Sequence, residues 1–363
     1  MSMLKLKEIL WEITPECNKN CSYCGSKDLQ GKKPLGDKDL KKIAKQLADY
    51  GVEEVTLTGG EPGVLAEKKP ALFNNIVRTL RKAGVKVKAV TNGKLVLVEG
   101  IKKILKDLDV IGFSINTPDD ILSMNDVKFD KSNHTMITNF GKHNIWDFDE
   151  LAECARVFRC WQIQLTMGEN LLNPNGIKHL RSKIADCDVP DDNTIIVLAD
   201  NLQVCHDCEA GISSCSITYD GGVVACLSER SYGGIQKAYG NLLKESIGDI
   251  WENEFKDIRF KGCRKCCRDF VEYPGVDLKD LEENEEERKA LPPTIIIKKI
   301  KEWPKVSPDP YVSPDPYDKP RVMLYGAFGG NVQVYAVTNP PWTGDNINPI
   351  INDGGDDYGV AGP

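Results

Sequence analysis

Histidine is scarce in this chain, with 4 in 363 residues, so a metal centre built on imidazole has little to draw on. Long apolar runs are missing too. No stretch approaches the ~20 uninterrupted apolar residues of a membrane span, and the opening Met-Ser-Met-Leu-Lys-Leu-Lys has no apolar signal-peptide core. These absences exclude a membrane helix and point to the cytoplasm. There is no basic stripe interleaved with aromatics, aromatics make up 7%, and the net charge is -7, which removes nucleic acid from the expected partners. What the chain has in quantity is cysteine. Thirteen cysteines, an odd number without a secretory signal, argue for metal or redox chemistry rather than disulfides. A hydrophobic content of 41% suffices for one large or two ordinary domains.

Three of those cysteines, Cys17, Cys21 and Cys24, sit in Thr14-Pro15-Glu16-Cys17-Asn18-Lys19-Asn20-Cys21-Ser22-Tyr23-Cys24-Gly25, just after the apolar run Ile9 to Ile13. Three thiolates on one short loop can hold three corners of a four-iron four-sulfur cluster, leaving the fourth iron without a protein ligand. A zinc site is the alternative, but it favours tetrahedral closure by a fourth donor. The next 100 residues contain neither Cys nor His. A second motif, Gly59-Gly60-Glu61-Pro62, follows 35 residues after Cys24. Two glycines permit close backbone approach to a ligand, and a carboxylate can pair with an ammonium group.

From Lys7 to about Met167, short apolar strands alternate with amphipathic helical stretches, the pattern of repeated βα units around a parallel sheet. Strands are expected at 8–13, 54–58, 85–91, 110–116, 134–140 and 161–167. Leu40, Ile43, Leu47 and Tyr50 share one helical face, with Asp37 as the expected cap. Leu72, Ile76, Val77 and Leu80 make a second helix with Gly84 as its stop. A short helix is expected near 99–106 and another at 147–158, while 119–132 has no clear period. The fold class is α/β: a partial (β/α)6 TIM-type barrel, too few units to close an eight-stranded one. Both motifs fall at C-terminal ends of strands, where such barrels carry their reactive groups.

The cysteine spacing, the aromatic Tyr23 before the third cysteine and the Gly-Gly-Glu-Pro string together resemble the radical S-adenosylmethionine (SAM) superfamily. The resemblance covers the first ~200 residues. It implies a [4Fe-4S] cluster on Cys17, Cys21 and Cys24 whose open iron chelates SAM, one-electron cleavage to a 5'-deoxyadenosyl radical, and hydrogen abstraction from an unreactive C–H bond. It further implies that Gly59, Gly60 and Glu61 hold the SAM methionine. Tyr23 would lie against adenine, and Asn92, Ser114 and Asn116 would bond the ribose hydroxyls and carboxylate. Asn92-Gly93 also reads as a plain turn.

Residues 205–267 hold seven of the cysteines: Cys205, Cys208, Cys215, Cys226, Cys263, Cys266 and Cys267. Ile217 to Cys226 reads as a hairpin turning at Asp220-Gly221-Gly222. The order resembles SPASM and twitch extensions, which carry auxiliary iron-sulfur clusters. That resemblance implies one auxiliary [4Fe-4S] cluster on Cys208, Cys226, Cys263 and Cys266, with Cys205, Cys215 and Cys267 as substitutes or ligands of a second. A four-cysteine zinc ribbon is the competing reading. Cys154, Cys160 and Cys187 fall in helix or strand patterns and read as small buried apolar residues.

Beyond Pro274 the composition changes. An acidic run, Leu281 to Arg288, precedes a segment holding 12 of the 20 prolines, including the repeat Ser307-Pro308-Asp309-Pro310-Tyr311 and Ser313-Pro314-Asp315-Pro316-Tyr317. Three readings stay open for this tail: a cover over the barrel or a disordered end, a docking segment for a partner, or a substrate-like segment. The last rests on Leu324-Tyr325-Gly326, which resembles the X-Tyr-Gly site from which spliceases excise tyramine, leaving an α-keto-β-amino residue. The expected divisions are 1–200 for the barrel, 201–275 for the auxiliary domain and 276–363 for linker and tail.

The resemblance implies a peptide maturase acting on a ribosomally made precursor peptide. Thioether or carbon–carbon crosslinking and sulfatase-maturase-like oxidation are alternative chemistries, and a zinc- or cluster-stabilised binding module is the non-enzyme alternative. A separate leader-peptide recognition protein and a reductant such as flavodoxin are the implied partners.

Overall fold

In β1 (Glu8–Thr14) the side chains of Ile9, Trp11 and Ile13 are buried to 2% exposure or less. Neighbouring strands repeat that alternation in register. β2 (Glu54–Gly59), β3 (Lys86–Thr91), β4 (Val110–Ser114), β5 (His134–Phe140), β6 (Cys160–Leu165) and β7 (Ile195–Leu198) follow, each parallel to the one before. The computed structural model describes residues 5–124, 126–166, 168–187, 194–198, 210–228, 237–256 and 258, with the backbone of 321–325 and 333–337.

The sheet continues past both ends of this parallel array. β8 (Ser214–Ile217) pairs parallel with β1, turns back antiparallel into β9 (Gly222–Val224) and reaches β10 (Gly240–Asn241). At the other side β11 (Arg321–Tyr325) lies parallel on β7, and β12 (Gln333–Val337) runs antiparallel to β11. The order is β10-β9-β8-β1-β2-β3-β4-β5-β6-β7-β11-β12. It is the open, partial-barrel α/β architecture expected, and the parallel run carries one more strand than the sequence pattern signals. β7 has four residues, too few to establish a period of two. The hairpin expected around Asp220 is present as β8–β9, and it extends the barrel sheet rather than standing apart.

Helices fill the crossovers: α1 (Asp37–Tyr50), α2 (Pro62–Lys68), α3 (Pro70–Lys82), α4 (Lys102–Leu105), α5 (Pro118–Leu122), α6 (Phe148–Ala155) and α7 (Pro174–Asp186), with α8 (Ile247–Asn253) after β10. The buried face of α1 is Leu40, Ile43, Ala44 and Leu47, as its spacing requires. Its cap differs from expectation. Gly36 is the N-cap, and Asp37 is the first helical residue, its carboxylate 2.6 Å from Lys69 Nζ and held low by that ammonium. An acidic side chain in the first turn is favourable there without capping.

The two faces of the parallel sheet differ in chemistry. Trp11, Leu57, Ala89, Phe113, Met136 and Trp161 belong to the continuous apolar core. The alternate positions carry Glu12, Thr56, Lys88, Asn139, Gln162 and Gln164, none of them in that core. Register places these on one common face: Thr56 stands opposite Lys88, and Asn139 opposite Gln164. A closed eight-stranded barrel fills its interior with branched apolar side chains, whereas this concave face is polar and half-exposed in Lys88, Asn139 and Gln164. Leu40, Phe73 and Leu151 of the helices share the apolar core, so the polar face is the inner one.

His134, at the start of β5, is 9% exposed, and its Nδ1 accepts the Asp130 N–H at 2.9 Å. Burial drives its pKa down to about 4 against a smaller upward pull from Asp130, so the folded chain holds it neutral. The stability this confers is complete above the unfolded value near 6.5 and is lost as pH falls toward about 4. His134→Asn keeps an acceptor and cannot titrate. Urea unfolding at pH 7.5 and pH 5 is expected to show the wild type losing on the order of 2 kcal/mol more than this variant; equal losses would exclude a buried neutral imidazole. Trp161→Ala, which empties a fully buried site and removes the 2.9 Å bond to Thr138 Oγ1, should cost about 3–5 kcal/mol in the same assay.

Candidate active site

The cysteine loop leaves the C-terminal end of β1 and is held by the loop that leaves β2. The Gly60 N–H donates to Thr14 O at 2.8 Å, and the Glu61 N–H donates to Glu16 O at 2.8 Å. A Cβ on Gly60 would stand 2.1 Å from Glu16 O, and one on Gly59, whose φ is 122°, 2.4 Å from Thr14 O. The glycines therefore serve a close approach of backbone to backbone. They admit the backbone of Thr14 to Glu16, the root of the cysteine loop.

Glu61 is 1% exposed and caps α2. Its Oε1 accepts the Gly63 N–H at 2.8 Å and the Thr91 hydroxyl at 2.7 Å, and Oε2 accepts the Asn92 N–H at 2.7 Å. Burial raises its pKa, while these three donors pull the other way. The carboxylate thus ties the ends of β2 and β3 together and keeps one further acceptor direction on Oε2. Thr91, buried at the end of β3, also accepts from Gly93 N and Leu95 N. Sequence reading passed over it, because a strand-end threonine looks like any β-former.

The three expected cysteines share this rim. Backbone N–H groups of Lys19 and Ser26 each donate to sulfur at 3.4 Å, on Cys17 and Cys24, and the Cys24 N–H donates to Cys21 O. Burial pushes the Cys17 thiol up, the Lys19 N–H opposes this, and the charges of Glu61, Cys24 and Cys21 add to the rise. A metal bound to these sulfurs removes that cost, because a coordinating thiol is deprotonated outright. Among the described residues no three His, Cys, Asp or Glu side chains converge on a single metal ion. Cys17, Cys21 and Cys24 offer three thiolates on one loop, and a cluster takes one thiolate at each of several corners. The donor set fits a cluster.

The loop is pinned from the opposite side as well. Lys19 Nζ lies 2.7 Å from Asp120 Oδ1, and Asp120 Oδ2 accepts the N–H groups of Asn116 and Thr117 at the start of α5. Asn92 Nδ2 donates to Asn18 Oδ1 at 2.9 Å and points to Cys17 Sγ at 3.8 Å. Asn116 Oδ1 accepts the Asn139 N–H at 2.7 Å. Tyr23 stacks on His143, ring centres 3.9 Å apart and planes 11° apart, and burial with the nearby Asp120 charge drives its phenol pKa up. Ser114 ends β4 half-buried on the same rim. All the residues anticipated around SAM thus meet at one end of the barrel, and several already bond one another. Lys19, Asp120 and His143 join them without a sequence signal, since their pairing spans loops far apart in the chain.

Of the second cysteine group, Cys226 follows β9 and accepts the Ser228 N–H at 3.4 Å. Cys215 lies inside β8 opposite Ile9, 2% exposed in the apolar core, and burial pushes its thiol up. It packs as a small apolar residue, where the cysteine order had left open a substitute or second-cluster ligand. Cys205, Cys208, Cys263, Cys266 and Cys267 lie outside the described residues. Cys154 is fully buried, its thiol raised to about 12. Cys160, raised to about 11, and Cys187 are half-buried. Among the described residues no helix is long and apolar enough to cross a membrane.

Comparison with known proteins meets this geometry. Residues 11–157 match the radical SAM superfamily model, so the strands and loops from β1 to α6 are a radical SAM domain. Residues 205–268 match the iron-sulfur cluster-binding SPASM domain, so the chain carries a second domain of the cluster-binding kind. These domains take a [4Fe-4S] cluster with SAM and auxiliary iron-sulfur clusters. The probable GTP 3',8-cyclase of Methanococcus aeolicus is 31% identical over 120 residues, 32% of this chain and 39% of that protein. An S-adenosylmethionine-dependent nucleotide dehydratase of Psychrobacter lutiphocae is 27% identical over 136 residues, 34% of this chain and 44% of that one. The chain thus spans well under two thirds of these relatives. In fold it is similar to Streptococcus suis SuiB bound to S-adenosylmethionine (TM-score 0.55, 16% identity, 70% of this chain, 68% of that one). It is similar also to anSMEcpe with bound AdoMet and Cp18Cys peptide (TM-score 0.56, 15% identity, 81% of this chain, 98% of that one).

Gly60→Ala should displace the loop root and cost about 2–4 kcal/mol, with a matching drop in iron bound under anaerobic reconstitution. Gly31→Ala, whose φ is 79° with nothing within 4 Å, should cost about 1 kcal/mol and leave iron content unchanged. Equal effects in guanidinium unfolding and iron assay would refute the close-approach argument.

Proposed function

We propose that the chain is a radical SAM peptide maturase acting on a ribosomally made precursor peptide. The observation that carries this reading is the polar inner face of the sheet, half-exposed in Lys88, Asn139 and Gln164, below the end that carries the cysteine loop. The fold likeness supports it: SuiB has been seen with its precursor peptide SuiA, and anSMEcpe with a Cys-containing peptide.

In this proposal Cys17, Cys21 and Cys24 hold the catalytic cluster, and Gly59, Gly60, Glu61, Tyr23, Asn92, Ser114 and Asn116 surround SAM. Cys208, Cys226, Cys263 and Cys266 hold the auxiliary cluster. The division into 1–200, 201–275 and 276–363 belongs to the same reading. The cluster and SAM supply one-electron C–S cleavage and hydrogen-atom abstraction. The chain's own part is to hold the loop rigid between Glu61 and Asp120 and to keep the lumen polar enough for a peptide backbone. The remaining acceptor direction on Glu61 Oε2 suits an ammonium. The finer chemistry we assign is excision of tyramine at an X-Tyr-Gly site, supported by Leu324-Tyr325-Gly326 in the chain itself. A separate leader-recognition protein and a flavodoxin-like reductant complete the proposal.

The curated relatives favour a second reading, nucleotide chemistry, but their match is confined to about a third of this chain, the part that carries the SAM machinery. Reduced, reconstituted protein with SAM should release 5'-deoxyadenosine, and Cys17→Ala should lower that at least ~100-fold. With an X-Tyr-Gly peptide, mass spectrometry should find a product lighter by tyramine. A crosslinked peptide of nearly unchanged mass would reject splicing and keep the maturase. Conversion of GTP with peptides untouched would reject the maturase.

A further inference from the structure

Gln162 lies in the middle of β6 and is 6% exposed, yet among the described residues neither its carboxamide N–H groups nor its oxygen has a hydrogen-bond partner. A polar group withdrawn from bulk water and left unbonded costs the fold free energy, so a native chain that keeps one needs a reason for it. Register places Gln162 on the inner face, in one row with Ser114, Ile137 and Val197. Two residues on, Gln164 faces the same way. Its Nε2 donates to Asn139 Oδ1 at 2.6 Å, and Asn139 in turn donates its N–H and its Nδ2 to Asn116 Oδ1 at 2.7 and 3.3 Å. Gln164 is thereby held in place, with its Oε1 unbonded among the described residues.

Charge is kept away from this half of the face. The inner positions around the two glutamines are Gly112, Ser114, Thr135, Cys160, Ile195 and Val197, none of them charged at neutral pH. Glu12, Glu54 and Lys88 belong to β1, β2 and β3, and Lys88 is already paired with Glu54. A nucleoside triphosphate requires cations against its phosphates, and the inner positions of β4 to β7 supply none. A carboxamide instead presents donor and acceptor side by side, the complement of a peptide amide. The spacing agrees: residues two apart on a strand stand ~6.7 Å apart, the repeat at which an extended peptide turns alternate N–H and C=O groups to one side. Neighbouring strands are ~4.8 Å apart, so Gln162 lies ~10 Å along its row from Ser114, about three residues of extended chain.

We propose that Gln162 and Gln164 form a subsite for the backbone of an extended peptide lying along β6. Gln162 pairs with the N–H and C=O of one peptide residue, and Gln164 Oε1 accepts the N–H two residues on. The ligand is a neutral peptide main chain, and main-chain hydrogen bonds supply affinity whatever side chains it carries. Fixing Gln164 through Asn139 before the peptide arrives lowers the ordering cost of binding. The subsite rests on the peptide reading of the inner face and adds where the substrate backbone is gripped. Binding is read without chemistry, so the subsite can fail while the maturase stands.

Calorimetric titration uses the reconstituted full chain with SAM and no reductant. The probes are acetyl-Val-Met-Leu-Tyr-Gly-Ala-amide, which copies residues 322–327, and two analogues in which esters replace the amides at odd or at even positions and so remove those N–H donors. Wild type should bind one of the two analogues roughly tenfold or more weakly than the parent peptide. Gln162→Leu should bind the parent roughly tenfold more weakly than wild type does and should discriminate less between parent and ester. Because the amide has no bond to lose inside the fold, Gln162→Leu should keep or raise the urea midpoint. Equal affinity of wild type and Gln162→Leu for the parent overturns the subsite and leaves the maturase reading intact. A lowered urea midpoint does the same, since it shows the amide bonded within the fold. A wild type that does not bind the peptide overturns the subsite, and GTP bound in its place overturns the maturase as well.

Discussion

Two backbone hydrogen bonds, Gly60 N–H to Thr14 O and Glu61 N–H to Glu16 O, place the cysteine loop. They prolong the β1–β2 contact two residues beyond the regular strands, to Glu16 and Glu61, and they exist because neither glycine carries a Cβ. Everything functional at this end follows from the contact. Glu61, fixed through its own N–H, turns its carboxylate inward to collect Gly63, Thr91 and Asn92, so the ends of β2 and β3 and the start of α2 form one unit. The loop is then clamped from across the barrel by Lys19 and Asp120. Both partners are largely shielded from water, side chains 29% and 13% exposed, so solvent screens this pair less than an exposed one.

A loop held this way matters for redox chemistry. Backbone N–H groups on Cys17 and Cys24 sulfurs are among the levers by which a protein sets a cluster's potential, and they act only if the loop does not drift. Cys17 sits where burial and neighbouring negative charge disfavour a free thiolate. The site is therefore arranged for metal rather than for a bare nucleophilic cysteine, which needs an environment that lowers its pKa.

The sheet divides labour between its faces. Apolar residues on the helix side supply the burial that stabilises the fold, which releases the inner face from packing and lets it carry Glu12, Lys88, Gln162 and Gln164. Toward the other end of that face Lys88 and Glu54 form an ion pair at 2.6 Å, side chains 18% and 11% exposed, so charge is compensated there. Openness has a structural cost at the edges. β8 with its hairpin covers one flank and β11 with β12 the other, and each addition satisfies backbone groups that would otherwise face water or another chain.

Much of this was legible in the residues. Strand positions from Glu8 to Leu165 follow from the alternation of apolar runs with amphipathic helices, and the cysteine spacing with Gly-Gly-Glu-Pro located the site, because both patterns are local in sequence. What stayed hidden depends on pairs distant along the chain. The Lys19–Asp120 clamp spans 101 residues, Tyr23 meets His143, and β11 finds β7. The glycines show in the sequence that something must come close, and only the folded chain shows that the backbone of Thr14 to Glu16 does. Cys215 is the same lesson in reverse, since spacing put it among ligands while strand register buried it beside Ile9. Residue order alone thus determined the elements and the metal-binding chemistry, which are set by local periodicity and donor type. Tertiary structure decided which backbones touch, which face stays polar and what closes the open edge, because those depend on register between segments that no local pattern encodes.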